Sequence, residues 1–298
     1  MDNFEKFLAQ NCDKYMSVIT PGGNHGDTLI HMALIKKLNM YDIKYTCFNL
    51  EQMYGTDLLL GAKYLINIAL WKIGSDLGFQ LLKLSPKTEL ILFEGGGYMN
   101  DVWYGPTLLT QILKHNNSPI AIAPQSYLFN RTNFENYFKN GRTTILFCRE
   151  KYSFQHLKEK EFPSNVSIFI SPELALYLTK EDLKKYIEPR SGNYQLIAFR
   201  ADKESLLRVD LKREIIENSS NPLISDISTK NTLTDFISII YNAEKIYTDR
   251  LHVAIIAHLL DKPATLFGNK YHKNRGVWEF SLRDKIEYIE ANRGLYII

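Results

Sequence analysis

The stretch KIYTDRLHVAIIAHLL, residues 245–260, joins a short apolar run to a long one through a single polar turn. Lys245 to Thr248 has the length of a buried strand, and Val253 to Leu260 reads as a helix packed on a sheet. The turn holds Asp249, Arg250 and His252, so these side chains are expected at a mouth above a packed layer. Asp249 reads as the N-cap of the helix. A helix start exposes N–H groups and a partial positive charge, Arg250 adds a permanent cation, and His252 adds a group able to move a proton near neutral pH. The turn therefore suits an anion. The plainer reading is that Asp249 only caps, Arg250 pairs with an acid, and His252 is a satisfied first-turn residue.

The same strand, turn and helix unit recurs outward from this point in both directions. Strands are expected at Met16 to Thr20, Ile43 to Phe48, Glu89 to Phe93, Pro119 to Pro124, Thr144 to Cys148 and Val166 to Ile170, with helices at Thr28 to Leu38, Pro106 to His115, Phe134 to Lys139, Lys151 to Lys158 and Glu173 to Leu178. After a polar stretch, Thr179 to Asn193, which reads as a linker, strands follow at Tyr194 to Phe199, Lys245 to Thr248, Ala264 to Phe267 and Lys285 to Ile289. Helices there are expected at Leu233 to Asn242 and Val253 to Leu260. Such alternation means parallel sheets with helices on both faces. The expected architecture is α/β, two doubly wound Rossmann-like domains, 1–180 and 181–298, facing each other across a cleft. Ligands of such sheets bind beyond the carboxyl ends of the strands.

Composition narrows the functions open to this chain. It has 298 residues, 45% hydrophobic and 23% charged, which suits a folded globular protein rather than a disordered one. A net charge of +3 with no block of either sign gives nucleic-acid binding no electrostatic basis. Cys12, Cys47 and Cys148 are widely spaced, which suggests free thiols in a reducing compartment and no metal site. The opening residues include Asp2 and Glu5 and lack an apolar secretion segment, so a cytoplasmic location is expected.

The apolar segment Leu58 to Leu84 is interrupted by Lys63, Lys72, Asp76 and Lys83, which argues against a span across a bilayer. Leu60, Tyr64, Ile68 and Trp71 recur at helical spacing. This stripe suits packing on a sheet, and the lysines could hold a membrane surface, so peripheral contact at the inner membrane face is a second expectation.

Three further loops lie at expected strand ends. Pro21 to Thr28 (PGGNHGDT) has the glycines and helix start that favour an anion, yet lacks the Lys-Ser or Lys-Thr pair of a Walker loop and the dinucleotide fingerprint. Glu94 to Asp101 (EGGGYMND) carries three successive glycines, which implies close approach of a substrate or a neighbouring loop, with Tyr98 and Asn100 offering stacking and hydrogen bonds to a sugar. Phe147 to Glu150 (FCRE) puts Arg149 at a third mouth, as a second fixed cation or as half of an ion pair with Glu150 or Glu173.

Together these pieces resemble the polysaccharide pyruvyl transferase family over nearly the whole chain. The matching residues are the Gly-Asn-x-Gly-Asp loop at Gly23 to Asp27, Gly95 to Gly97, Arg149-Glu150 with Ser153, Ser171-Pro172-Glu173, Arg250-Leu251-His252, and Asn269 with Tyr271 and Lys273 ahead of Trp278. Glu173 stands where the family usually has Asp, Lys270 where Ser is common, and His272 where Gly is common.

The resemblance implies transfer of a pyruvyl group from phosphoenolpyruvate to a saccharide acceptor, lipid-linked or not, on a fold similar to the GT-B glycosyltransferases, with no metal and no cofactor. The first domain would take the acceptor and the second the donor. Arg250 and Arg149 would clamp the phosphate and carboxylate, with Lys273 assisting. His252 would protonate the enol carbon, and Glu173 would act as a base or orient Arg149. Asn24, Asp27, Gly96, Gly97, Tyr98, Asn100 and Asn269 would complete substrate binding. A sugar-nucleotide-dependent glycosyltransferase is the alternative, since the same cations would serve a diphosphate.

Overall fold

The computed structural model describes residues 1–75, 77–103, 105–190, 192–202, 204–230 and 232–291, with Lys230 in its backbone only. Asp76 and Ser191, which entered the readings of the apolar segment and the linker, lie outside the described residues. The chain forms two compact units, one of Met1–Gly23 with Ile30–Leu174 and the other of Asn24–Leu29 with Ala175–Ile298.

Unit 1 is built on six strands: β1 (Met16–Thr20), β2 (Tyr45–Asn49), β3 (Leu90–Phe93), β4 (Ile120–Gln125), β5 (Thr144–Cys148) and β6 (Val166–Ile170). Their order is β2-β1-β3-β4-β5-β6, and every pairing is parallel. Runs such as MSVIT and LILF lack polar alternation because both faces are covered, and β1, β3 and β4 are buried at every residue. Side chains of Ile19, Ile91, Phe93, Ile122 and Leu146 form the centre of the core. Each fully buried aliphatic side chain contributes on the order of 1.5–3 kcal/mol. The chain leaves β1 toward β2 and returns to β3 on the other side, so the switch point lies between β1 and β3. The loops at Pro21 and Glu94 start from those two strand ends.

Unit 2 repeats the plan with β7 (Gln195–Ala198), β8 (Pro222–Ile224), β9 (Lys245–Thr248), β10 (Ala264–Phe267) and β11 (Glu287–Ile289) in the order β11-β10-β9-β7-β8, again all parallel. Its switch point lies between β7 and β9. The helix Leu251–Leu259 buries Leu251 and every residue from Val253 to Ala257, as an all-round apolar sequence must. The helix Leu233–Asn242 begins at a capping box of Thr232 and Asp235.

Three readings change here. The change of unit falls at Leu174 and Ala175, ahead of the polar stretch read as a linker, and that stretch contains the helix Lys180–Lys184, started by a capping box of Thr179 and Asp182. Of the apolar segment, Leu81, Leu82 and Leu84 are buried and Leu60 and Tyr64 pack on the core, while much of the helix Leu58–Lys72 faces outward. Asp249 is not the cap of the helix after β9: Arg250 occupies that position in an extended conformation, with no side-chain cap bond. Instead Asp249 accepts from the amide of Arg200 at 2.7 Å and the hydroxyl of Ser205 at 2.8 Å. Linking β7 to β9 satisfies a strand-end amide that a helix cap would leave open.

Candidate functional site

The carboxyl ends of β7, β9 and β10 gather the charged side chains of unit 2. Arg200, two residues beyond β7, sends Nε and Nη2 to the two oxygens of Asp202 at 2.8 and 2.9 Å, and Nη1 to Glu204 Oε2 at 2.7 Å. Lys273 donates to the same Glu204 oxygen at 2.6 Å. Arg250 forks onto Asp226, with Nε donating at 3.0 Å and Nη2 to the second oxygen, while its Nη1 lies 3.4 Å from Asp202. Asp226, Arg250, Asp202, Arg200, Glu204 and Lys273 thus form a chain of alternating charge. Arg200, Arg250 and Lys273 are each at most 8% exposed. Pairs this dry hold their geometry, because a lone buried charge would be far costlier than the pairing.

Two carboxyls in this region are shifted in opposite directions. Burial pushes Asp249 up, against the Arg200 amide and the Ser205 hydroxyl that favour its charged form. Burial also raises Asp202, but the hydrogen bond from Arg200 and the charges around it bring it below the usual carboxylate range.

Asn274 fastens the mouth from below. Its Nδ2 donates to the carbonyls of Asp249 and Phe267, both at 2.9 Å, so the ends of β9 and β10 are tied together. Asn269 is buried on the same loop, bridges to Ser205, and its Oδ1 accepts from Asn274 N at 3.4 Å. Its Nδ2 has no hydrogen-bond partner among the described residues.

His252 is the second residue of its helix and lies against Gly26, which also belongs to unit 2. Gly26 sits in the first turn of the helix His25–Met40, started by Asn24. Asn24 Oδ1 accepts from Gly26 N at 2.8 Å, its carbonyl accepts from Asp27 N at 2.9 Å, and Asp27 Oδ2 accepts in return from Asn24 N at 2.9 Å. The polar atoms of Asn24 and Asp27 therefore shape this turn.

In unit 1, Arg149 and Glu173 form a pair at 2.6 Å, both within 1% of full burial, and Arg149 Nε donates to Ser126 Oγ at 2.8 Å. Of the partners weighed for Arg149, Glu173 is the one observed. The triple-glycine loop is tight because the neighbouring loop approaches it: a Cβ on Gly95 would stand 2.7 Å from the Pro124 carbonyl, and Gly96 takes φ +127° while exchanging backbone hydrogen bonds with Pro124 and Ser126. Gly97 accepts from Asn100 Nδ2 at 3.0 Å, and Asn100 Oδ1 accepts from the amides of Val102 and Trp103. Tyr98 is half-buried and donates its hydroxyl to the Glu94 carbonyl at 2.7 Å.

The structure adds residues that the sequence reading passed over. Arg200, Asp202, Glu204 and Asp226 join the unit 2 cluster. At the switch point of unit 1, His31 Nδ1 lies 2.9 Å from the buried Glu94 carboxylate and 3.4 Å from the Thr20 hydroxyl. Arg200 was within reach of sequence, since it follows an apolar strand as Arg149 and Arg250 do. Asp226 follows a three-residue exposed strand that carries no such signal.

Both units are doubly wound, Rossmann-like parallel sheets with polar side chains at their switch points, the arrangement of ligand-binding α/β proteins. The chain belongs to the polysaccharide pyruvyl transferase family, whose model matches residues 24–271, well over half of its length. It is accordingly a transferase, and the family is one of pyruvyl transfer to polysaccharide. No curated protein matches the sequence. Among solved structures it is similar to KP1_0663, a functionally uncharacterized protein from Klebsiella pneumoniae subsp. pneumoniae NTUH-K2044, at 23% identity over 97% of this chain and 99% of that one, with a TM-score of 0.67. A weaker likeness, with a TM-score of 0.49 at 13% identity over 93% and 89% of the two chains, is to the Methanocaldococcus jannaschii UDP-GlcNAc 2-epimerase in complex with UDP-GlcNAc and UDP.

Proposed function

We propose that the protein moves a pyruvyl group from phosphoenolpyruvate to a sugar of a polysaccharide or its precursor, forming a cyclic ketal across two hydroxyls and releasing phosphate. The observation that supports this reading best is the convergence of Arg200, Arg250 and Lys273 at adjacent strand ends of unit 2, with His252 in the helix turn that begins there. Phosphoenolpyruvate carries a phosphate ester and a carboxylate on one carbon, and guanidinium and ammonium groups that turn from Asp202, Asp226 and Glu204 to the donor would suit that pair of anions.

In this reading unit 2 binds the donor, with Asn269, Asn24 and Asp27 shaping the pocket wall. His252 gives a proton to the methylene carbon of the enol, which becomes a methyl group and leaves the central carbon electrophilic. One sugar hydroxyl adds there and loses its proton. Phosphate then departs with the electrons of its C–O bond, and the second hydroxyl closes the ring and loses its proton. One of the two hydroxyl protons restores His252 and the other goes to phosphate or solvent. Unit 1 supplies the acceptor side, with Tyr98 stacking on a sugar ring, Gly96, Gly97 and Asn100 forming the loop that carries it, and Glu173 orienting Arg149 to meet an anionic group of the substrate. Cys12, Cys47 and Cys148 are free thiols, which favours a reducing, cytoplasmic setting.

The test is phosphate release from phosphoenolpyruvate in the presence of a panel of glycosides. His252→Ala is expected to lower turnover by about 10²-fold or more. No release with any acceptor, or release undiminished by the substitution, would defeat the reading.

A further inference from the structure

The helix Leu58–Lys72 presents an apolar face to solution. At 3.6 residues per turn, Leu58, Leu59, Leu65, Ile66 and Ile73 fall on one side, and they are 90%, 66%, 67%, 45% and 78% exposed. The opposite side carries the stripe read from the sequence: Leu60 and Tyr64 pack on the core, Ile68 is buried, and Trp71 Nε1 donates to Tyr137. The inward stripe is therefore satisfied, and the outward face is a second apolar surface, uncovered among the described residues.

The chain beyond the helix extends this surface. Asn67 clasps Phe79 through two hydrogen bonds, 2.9 Å to its carbonyl and 2.7 Å from its amide, which fixes a loop on which Leu77 and Phe79 are 74% and 45% exposed. An apolar surface of this extent on a folded protein marks an interaction site. Charge indicates what covers it. From the N-cap Asp57 to Leu84 the sequence carries Lys63, Lys72 and Lys83 against Asp57 and Asp76, a net +1 from three cations and two anions, and Lys72 and Lys83 are exposed. A second copy docked face to face would set like charge against like charge, whereas anionic lipid headgroups complement the lysines while the acyl boundary takes the leucines. No helix among the described residues is long and apolar enough to cross a membrane, so such contact is peripheral.

We propose that the outer face of the helix Leu58–Lys72, together with the loop through Phe79, docks unit 1 on an anionic bilayer surface. The apolar side chains enter the headgroup boundary, and Lys72 and Lys83 meet lipid phosphates. The surface belongs to unit 1, and its test uses neither donor nor glycoside. Full-length protein is sedimented with vesicles rich in phosphatidylglycerol and, separately, with vesicles of phosphatidylcholine alone. Wild type is expected in the pellet with the anionic vesicles and mostly in solution with the neutral ones. Leu65→Glu with Ile73→Glu, both at exposed positions, should lower the bound fraction about tenfold with an unchanged melting temperature. Lys72→Glu with Lys83→Glu should abolish the preference for anionic lipid. The proposal is overturned if wild type stays in solution at every composition, or if the leucine and isoleucine substitutions leave binding intact. It is equally overturned if light scattering shows a dimer that those substitutions convert to monomer while vesicles remain unbound, because the face would then belong to a second copy.

Discussion

The imidazole of His252 occupies the space a side chain on Gly26 would need: a Cβ built there would stand 2.2 Å from Nδ1 and 2.7 Å from Cγ. Glycine is required at this position for room, since its φ is not in the left-handed region. Gly26→Ala must therefore push the ring aside or distort the first turn around Asn24, whose Oδ1 would also lie within 2.9 Å. If His252 is the proton donor, a displacement of about an ångström is expected to lower turnover by about 10²-fold. Phosphate release together with far-ultraviolet circular dichroism checks it: a folded Gly26→Ala protein with wild-type turnover would remove His252 from the reaction.

How much of this was readable in the sequence depends on where each signal resides. The parallel sheets were legible in part because strands covered on both faces are apolar, as Met16–Thr20 and Ala264–Phe267 are, and Thr144–Cys148, Val166–Ile170 and Lys245–Thr248 also have the predicted bounds. The helix Asn3–Gln10 was missed although Asp2 and Glu5 spell its capping box. β8 and the helix Val209–Glu217 escaped for a physical reason, since neither buries a residue and so neither needs an apolar pattern. Of the site, the sequence could show that Arg149, Arg250 and His252 stand at strand ends. It could not show which acid each arginine would find, because Asp226 and Arg250 are brought together by tertiary packing across 24 positions.

Asp226 holds Arg250 by a two-point grip, and Asp202 touches the third nitrogen. Removing the grip returns rotamer freedom to a side chain that the proposed reaction needs fixed to bind the donor's anionic groups. Asp226→Ala is expected to raise KM for phosphoenolpyruvate about tenfold, close to 1.4 kcal/mol, with a smaller change in kcat. Steady-state kinetics decide it. An unchanged KM would mean that Asp226 does not position the arginine for the donor.

His31 provides a dependence on pH that can be isolated by difference. The hydrogen bond to Glu94 raises the pKa of His31 from its ordinary 6.5, burial opposes this, and the Glu94 charge adds to the rise. Because the folded value lies above the unfolded one, the stabilisation is complete below about 6.5 and is lost as pH climbs through the folded value. Wild type should therefore lose stability relative to His31→Gln as pH rises across that window. Urea unfolding of both proteins along a pH series measures it, and parallel curves would show that the ion pair contributes nothing.

Arg149 and Glu173 test whether a buried pair has an orienting role. Glu173→Ala would leave the Arg149 cation in a nearly dry site with Ser126 as its remaining described side-chain partner, and breaking a buried pair in this way costs about 3–5 kcal/mol. The double substitution Arg149→Met with Glu173→Leu removes both charges and fills similar volume, so most of that loss should be recovered. The two proteins together separate fold from function. If the double variant regains stability but not phosphate release, the pair serves the reaction; if it regains both, the pair is structural only. A single Glu173→Ala loss of less than about 1 kcal/mol in denaturant unfolding would show that water or another acid reaches Arg149, and the orienting role would fall with it.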